Sequence, residues 1–359
     1  MDGIQRTVLG KEVLLKCGAL GMIHWGTIAV GAVWRDKGTR RLTVLEELIF
    51  QKIFILGPFR GLVDSGVEGD ISPLAEIAKE AMPIPSPEQV LDPSSPLLFI
   101  DTTDPEDSEI GRYRRIFPEV SASLTDQQIR ERLTFSGEGL FDFAAQRRRA
   151  RNRMGRMRQH LEVGSLRHPI SLAQAGEWVV LDGTTVDLRW RARNDPRASP
   201  QAAFDKVVAV SKTLRTRFLS TSQIAKVLKM EEGERCSAFA FTEHHDEGIA
   251  TVNMKPRISW YLRLRSRGPS GPLSDYVGLV RLEVHKDLID ERWARIRDVS
   301  ELADTLSFLV FLDRNPIPSE DPRWPGLLYP VLMAEKVLRS RLPPLDTIQA
   351  MFAGGGTLV

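Results

Sequence analysis

The chain has 359 residues, a 42% hydrophobic share, 27% charged residues and a formal net charge of +2. That is enough apolar material for a sizeable core and excludes a disordered chain. The near-neutral sum provides no overall pull toward nucleic acid or an anionic membrane, so any such pull must be local. Two cysteines, Cys17 and Cys236, lie far apart without metal-ligand spacing, so reduced thiols are expected rather than a disulfide scaffold or a zinc site. The first residues carry no signal-peptide pattern. The apolar stretch 13–34 is interrupted by Lys16, His24 and several glycines, so a cytoplasmic protein without a membrane span is expected.

Taken in order, residues 42–55 show helical apolar spacing with a wide stripe, suited to core or to docking a partner. Leu62-Val63-Asp64 ends a short apolar run in an acid, and 73–81 reads as helix. A proline-rich break over 82–96 then separates an N-terminal extension, 1–95, from a main domain, 96–359. Leu97 to Thr103 reads as a buried strand ending in Asp101, and the acids after it (Asp104, Glu106, Asp107, Glu109) as a solvated turn. Thr125 is a plausible N-cap. A long helix over 140–161 carries Arg147, Arg148, Arg149, Arg151, Arg153, Arg156 and Arg158. Without interleaved glutamates these arginines gain no i,i+4 pairing and repel one another, a cost that bound phosphates would offset.

The stretch Glu177-Trp178-Val179-Val180-Leu181-Asp182-Gly183 is the chain's organising feature, a short apolar strand that delivers a carboxylate to a sheet edge. Val207-Val208-Ala209-Val210-Ser211-Lys212 is a second strand, ending in a lysine. Segment 222–230 reads as helix. The polar run Glu243-His244-His245-Asp246-Glu247 lacks the helical spacing of a zinc site. Residues 258–264 and 276–284 alternate as an antiparallel hairpin, and helices are expected over 302–312 and 331–341, the latter carrying Glu335.

Strand-end acids, a helix glutamate and a lysine suit phosphodiester hydrolysis. That reaction needs phosphate charge neutralised and a water activated, commonly by two divalent ions about 4 Å apart held by carboxylates from separate elements. Asp101, Glu162 and Asp182 are the candidate metal-binding acids. Asp64 is a rival for the first of them, and Lys212 would stabilise the charged transition state.

From residue 97 onward the pieces Phe99-Ile100-Asp101-Thr102, Arg158-Gln159-His160-Leu161-Glu162, Val180-Leu181-Asp182-Gly183-Thr184, Val208-Ala209-Val210-Ser211-Lys212-Thr213 and Tyr329-Pro330-Val331-Leu332-Met333-Ala334-Glu335 follow one another. In order and spacing they resemble the NurA nucleases, which work with the HerA hexameric ATPase in DNA end resection. The resemblance implies an α/β fold, with an RNase H-like core whose mixed sheet is flanked by helices. It also implies Mn²⁺ (or Mg²⁺), one or two ions per site, at Asp101, Glu162 and Asp182, and a homodimer facing the ATPase and acting on DNA ends. Glu335 stands where the family carries a histidine and would complete the metal shell. A haloacid-dehalogenase phosphatase would need an acid at position 184, which is threonine. A non-catalytic DNA-binding subunit of the same fold is the alternative.

Overall fold

The computed structural model describes residues 2–14, 20–36, 38–39, 41–64, 72–83, 85, 89–90, 92–95, 97–135, 142–173, 177–183, 206–212, 219–241, 257–266, 276–285, 296–316, 324–344 and 346–347. The N-terminal part supplies β1 (Asp2–Leu14), β2 (Leu20–Gly31), β3 (Val33–Arg35), β4 (Leu42–Val44) and β5 (Phe50–Gly57), then α1 (Phe59–Asp64) and α2 (Ser72–Glu80). After β6 (Leu97–Asp101) come α3 (Asp107–Ile116), α4 (Pro118–Ser121), α5 (Asp126–Leu133), α6 (Phe143–Ser165) and α7 (Arg167–Leu172). The remainder holds β7 (Val179–Asp182), β8 (Val207–Ser211), α8 (Thr221–Leu228), β9 (Phe239–Phe241), β10 (Arg257–Arg263), β11 (Leu279–His285), α9 (Ile296–Leu312) and α10 (Tyr329–Arg341). The class is mixed α/β. Among the described residues no helix is long and apolar enough to cross a membrane.

Four strands form the first sheet in the order β1-β2-β5-β6, antiparallel except for the parallel pair β5/β6. Both faces are covered. Ile28, Phe54, Leu56 and Ile100 pack on Ala150, Met154, Met157 and Leu161 of α6. On the other face Ile23, Trp25 and Ile55 meet Phe59 and Ile77. Double coverage explains one misread element. The stretch 42–55 is not a helix but β4, a short 3-10 turn at Glu46–Leu48 and β5. A strand buried on both faces needs a continuous apolar run, and such a run also satisfies helical spacing. Gly26 fixes how closely α6 approaches: a Cβ there would lie 2.2 Å from Met154 Sδ.

The boundary expected at 95/96 falls inside this sheet, because β6 pairs with β5 in register from Ile53/Leu97 to Gly57/Asp101. The segment before it therefore supplies three of the sheet's four strands.

The second sheet runs β7-β8-β11-β10-β9, with β7/β8 parallel and the rest antiparallel, including the expected β10/β11 pair. One face packs Val208, Val210, Trp260, Val280 and Leu282 on Leu302, Leu306 and Val310 of α9. The other packs Leu181, Val207 and Ala209 against Leu166 and Ala173 at the two ends of α7. Helix α10 joins the two halves, since Val331 belongs to the second sheet's core and Leu338 packs on Ile4 and Ala29 of the first. The N-cap expected at Thr125 is present as a capping box with Gln128.

Candidate active site and nucleic-acid interface

Each of the two larger sheets has one parallel pair, and each pair ends in an aspartate beside a cation. At the end of β6, Asp101 is fully buried, with side-chain exposure of 0%. Its Oδ2 accepts from Arg60 Nε at 2.6 Å, and its Oδ1 from the Thr103 hydroxyl at 2.6 Å and the Thr103 amide at 3.2 Å. Arg60 also reaches Asp104, and these hydrogen bonds raise its already high pKa further. Both Asp101 oxygens are therefore engaged and neither is turned to solvent. Close packing seals the site, since a Cβ on Gly61 would fall 2.1 Å from the Phe135 carbonyl oxygen. Arg60 carried no sequence signal, because it meets Asp101 only once α1 folds back over the strand end, whereas Thr103 reaches the carboxylate locally from two residues on.

At the end of β7 the arrangement is more open. Asp182 accepts from Lys212 Nζ at 2.8 Å, with side-chain exposures of 24% and 15%. β7 is the edge strand, as the sequence implied, and Asp182 pairs in register with Val210 of β8. Gly183 then turns the chain at φ +128°, a backbone state that an L side chain rarely adopts, and its amide donates to the Val210 carbonyl at 3.0 Å. Gly326 lies beside the Lys212 stem, where an added Cβ would come 3.9 Å from it. Among the described residues Asp182 Oδ1 has no hydrogen-bond donor.

The other expected acids sit elsewhere. Glu162, on α6, is 3.6 Å from Arg158 Nε, one turn before it. Glu335, buried on α10, accepts from Arg339 Nη2 at 2.6 Å. Asp64 is exposed at the end of α1, inside a helix rather than at a strand end. Among the described residues no three His, Cys, Asp or Glu side chains gather as a metal-holding group. Asp101, Glu162 and Asp182 do not share a donor set, and as placed they do not fit a shared ion. The cluster Glu243 to Glu247 and Cys17 lie outside the described residues. Cys236 is a free, half-buried thiol whose pKa burial pushes up.

The arginine helix separates into two faces. Arg149 and Arg153 are 1% and 2% exposed and point into the protein rather than at solvent, contrary to the sequence expectation. Arg149 pairs with Glu109 at 2.8 Å, donates to the carbonyls of Thr102, Thr103 and Leu133, and stacks 3.9 Å over Phe135. Arg153 meets Glu106 at 3.3 Å and Arg156 meets the same carboxylate at 3.1 Å. Glu106 and Glu109, read from sequence as a solvated turn, form the capping box of α3 and anchor α6. Sequence reasoning looked for partners four residues away on the same helix; Arg158 has one there, in Glu162, whereas the partners of Arg149, Arg153 and Arg156 come from another element.

Arg147, Arg148 and Arg151 face outward. Among the described residues they make no ion pair or hydrogen bond. Arg147 and Arg151, one turn apart, repel by about 0.2–0.5 kcal/mol. The Arg147 charge also reaches His24 of β2. Burial first, and then that charge, lower His24 to about 4, which keeps the imidazole neutral at pH 7.

One further charged group was invisible in sequence. Glu283 of β11, 0% exposed, sits between Arg257 and Arg281 on one sheet face. Burial of these three together is an ion-pair solution for the sheet centre.

No protein-family model and no curated protein matches the chain.

Proposed function

We propose that the protein is a DNA nuclease of the NurA type, built on an RNase H-like core, that acts as a homodimer on DNA ends beside a HerA-type hexameric ATPase. One observation carries the catalytic part: the solvent-facing Asp182–Lys212 pair at the end of a parallel strand pair. The outward arginines of α6 supply charge for the DNA backbone. The family, the ATPase and the dimer rest on the motif order set out above.

At this strand end Lys212 would exchange the Asp182 carboxylate for a phosphate oxygen and offset the charge that develops there. Asp182, released, would take the proton of the attacking water as the water's oxygen bonds to phosphorus. Meanwhile the bond from phosphorus to the leaving sugar oxygen breaks, and that oxygen takes a proton from solvent. No step passes through Mn²⁺ or Mg²⁺, because Asp101, Glu162 and Asp182 do not converge in this arrangement. A requirement for either ion is instead an outcome of the assay. The same non-convergence favours a second reading, a DNA-binding subunit with no chemistry of its own.

The test is cleavage of end-labelled single- and double-stranded DNA with Mn²⁺, Mg²⁺ or EDTA, beside Asp182→Ala. Cleavage that disappears in the variant while DNA binding persists supports the nuclease. Equal cleavage by both proteins sinks the assignment to Asp182. No cleavage under any condition, with or without a HerA-type partner, supports the second reading.

A further inference from the structure

Beside the first three turns of α6 lies an open cleft of about 660 Å³. Its helix side is formed by Phe143, Ala144, Arg147, Arg148, Arg151 and Asn152, and Met22 of β2 closes the other. The helical residues fall into two neighbouring i,i+4 rows, 143/147/151 and 144/148/152. Each row begins apolar and continues polar or cationic. Along this helix Arg149, Arg153, Arg156 and Arg158 all meet glutamates, so only the cleft-lining arginines lack an ion pair among the described residues.

The geometry points to a subsite for single-stranded nucleic acid, with one unpaired base laid against Phe143 and Met22 and its flanking phosphates held by Arg147, Arg148 and Arg151. It rests on the reading of the protein as one that handles DNA, and names the form of DNA this cleft takes. A duplex offers phosphates and groove edges while its base faces remain stacked inside, so it would set charged backbone against Phe143 and Met22. An unpaired base offers a flat apolar face that fits those side chains, and aromatic stacking combined with arginines along a groove is how sequence-independent single-strand binding is built. The cleft is large enough for a nucleotide-sized group. Asn152, at the far end of its row, can pair with a base edge.

The experiment measures fluorescence anisotropy of a labelled oligo-dT and of a duplex closed by hairpins at both ends, bound to the full chain in EDTA. The proteins are the natural chain, Phe143→Leu, Arg147→Gln/Arg151→Gln and Asp182→Ala, each checked for an unchanged urea midpoint. The subsite is supported if Phe143→Leu weakens oligo-dT binding by about 5- to 150-fold and leaves the closed duplex within about twofold. Loss of two phosphate contacts in the arginine variant should also flatten the salt dependence of oligo-dT binding, by about 1.4 in log–log slope. An unchanged oligo-dT affinity in Phe143→Leu overturns the inference. So does displacement of the oligonucleotide by polyglutamate at equal charge, which would assign the cleft to an acidic protein segment. Asp182→Ala separates the two proposals: if it still cleaves DNA while Phe143→Leu has lost oligo-dT binding, the catalytic assignment falls and the subsite stands. If cleavage is lost in Asp182→Ala while Phe143→Leu binds oligo-dT normally, the subsite falls and the catalytic assignment stands.

Discussion

Two strand ends in this molecule look alike in sequence and differ in physical state. Asp101 and Asp182 both close a short apolar strand, both end a parallel pair and both meet a cation. Asp101 is sealed, with Arg60 and Thr103 using both oxygens, whereas Asp182 retains exposure and a single lysine donor. A carboxylate whose hydrogen bonds are all made by its own fold acts as a structural fastener. One with an oxygen to spare can exchange partners with a substrate. The same division runs along α6, where inward arginines bind carbonyls and glutamates and outward ones have none.

The largest effect should come from breaking the sealed end. Asp101→Ala leaves the buried Thr103 hydroxyl and amide without their acceptor and the half-exposed Arg60 with Asp104 alone, and about 3 kcal/mol of stability should be lost, read as a fall in the urea midpoint. Arg149→Met should cost about 3 kcal/mol, since Glu109 and three carbonyls lose their donor, with oligo-dT affinity unchanged at a matched folded fraction. At the open end Lys212→Met should shift the urea midpoint little while slowing cleavage about 100-fold. An equal stability loss at both ends would erase the distinction between them.

The smallest effect concerns the outward arginines. The folded chain refuses a proton on His24 until about pH 4, while the unfolded chain accepts one near 6.5. Stability from this group is therefore present above pH 6.5 and lost as the pH falls through that window, by about 2 kcal/mol at pH 5. His24→Leu should remove that part of the acid loss. Arg147→Gln should reduce it in part, because burial remains as the larger cause. Urea midpoints at pH 7 and pH 5 for the three proteins check this.

Much of the fold was legible where one physical signal dominated. The Asp182 strand, the β10/β11 hairpin, the Thr125 cap and the helices carrying the arginines and Glu335 all stand close to where periodicity and capping chemistry place them. Residues 42–55 failed because double burial erases the difference between strand and helix patterns. Glu106 and Glu109 failed because charge in a short loop looks solvated until a distant helix lands on it. At the candidate site, the Asp182–Lys212 pair follows from two strand ends in parallel register. The engagement of Asp101 by Arg60 does not, since 41 residues and a helix turn separate the two. Sequence can place an acid at a strand end, but only the surrounding packing decides whether that acid is available.

The most direct measurement compares Asp182→Asn with Asp101→Asn, following both the urea midpoint and cleavage of end-labelled DNA at matched folded fraction. The expected result is that Asp182→Asn leaves the midpoint in place and removes cleavage, while Asp101→Asn lowers the midpoint and the folded fraction still cleaves. The opposite pattern, with Asp182→Asn cleaving normally and folded Asp101→Asn inert, would contradict it and move the chemistry to the end that this structure holds closed.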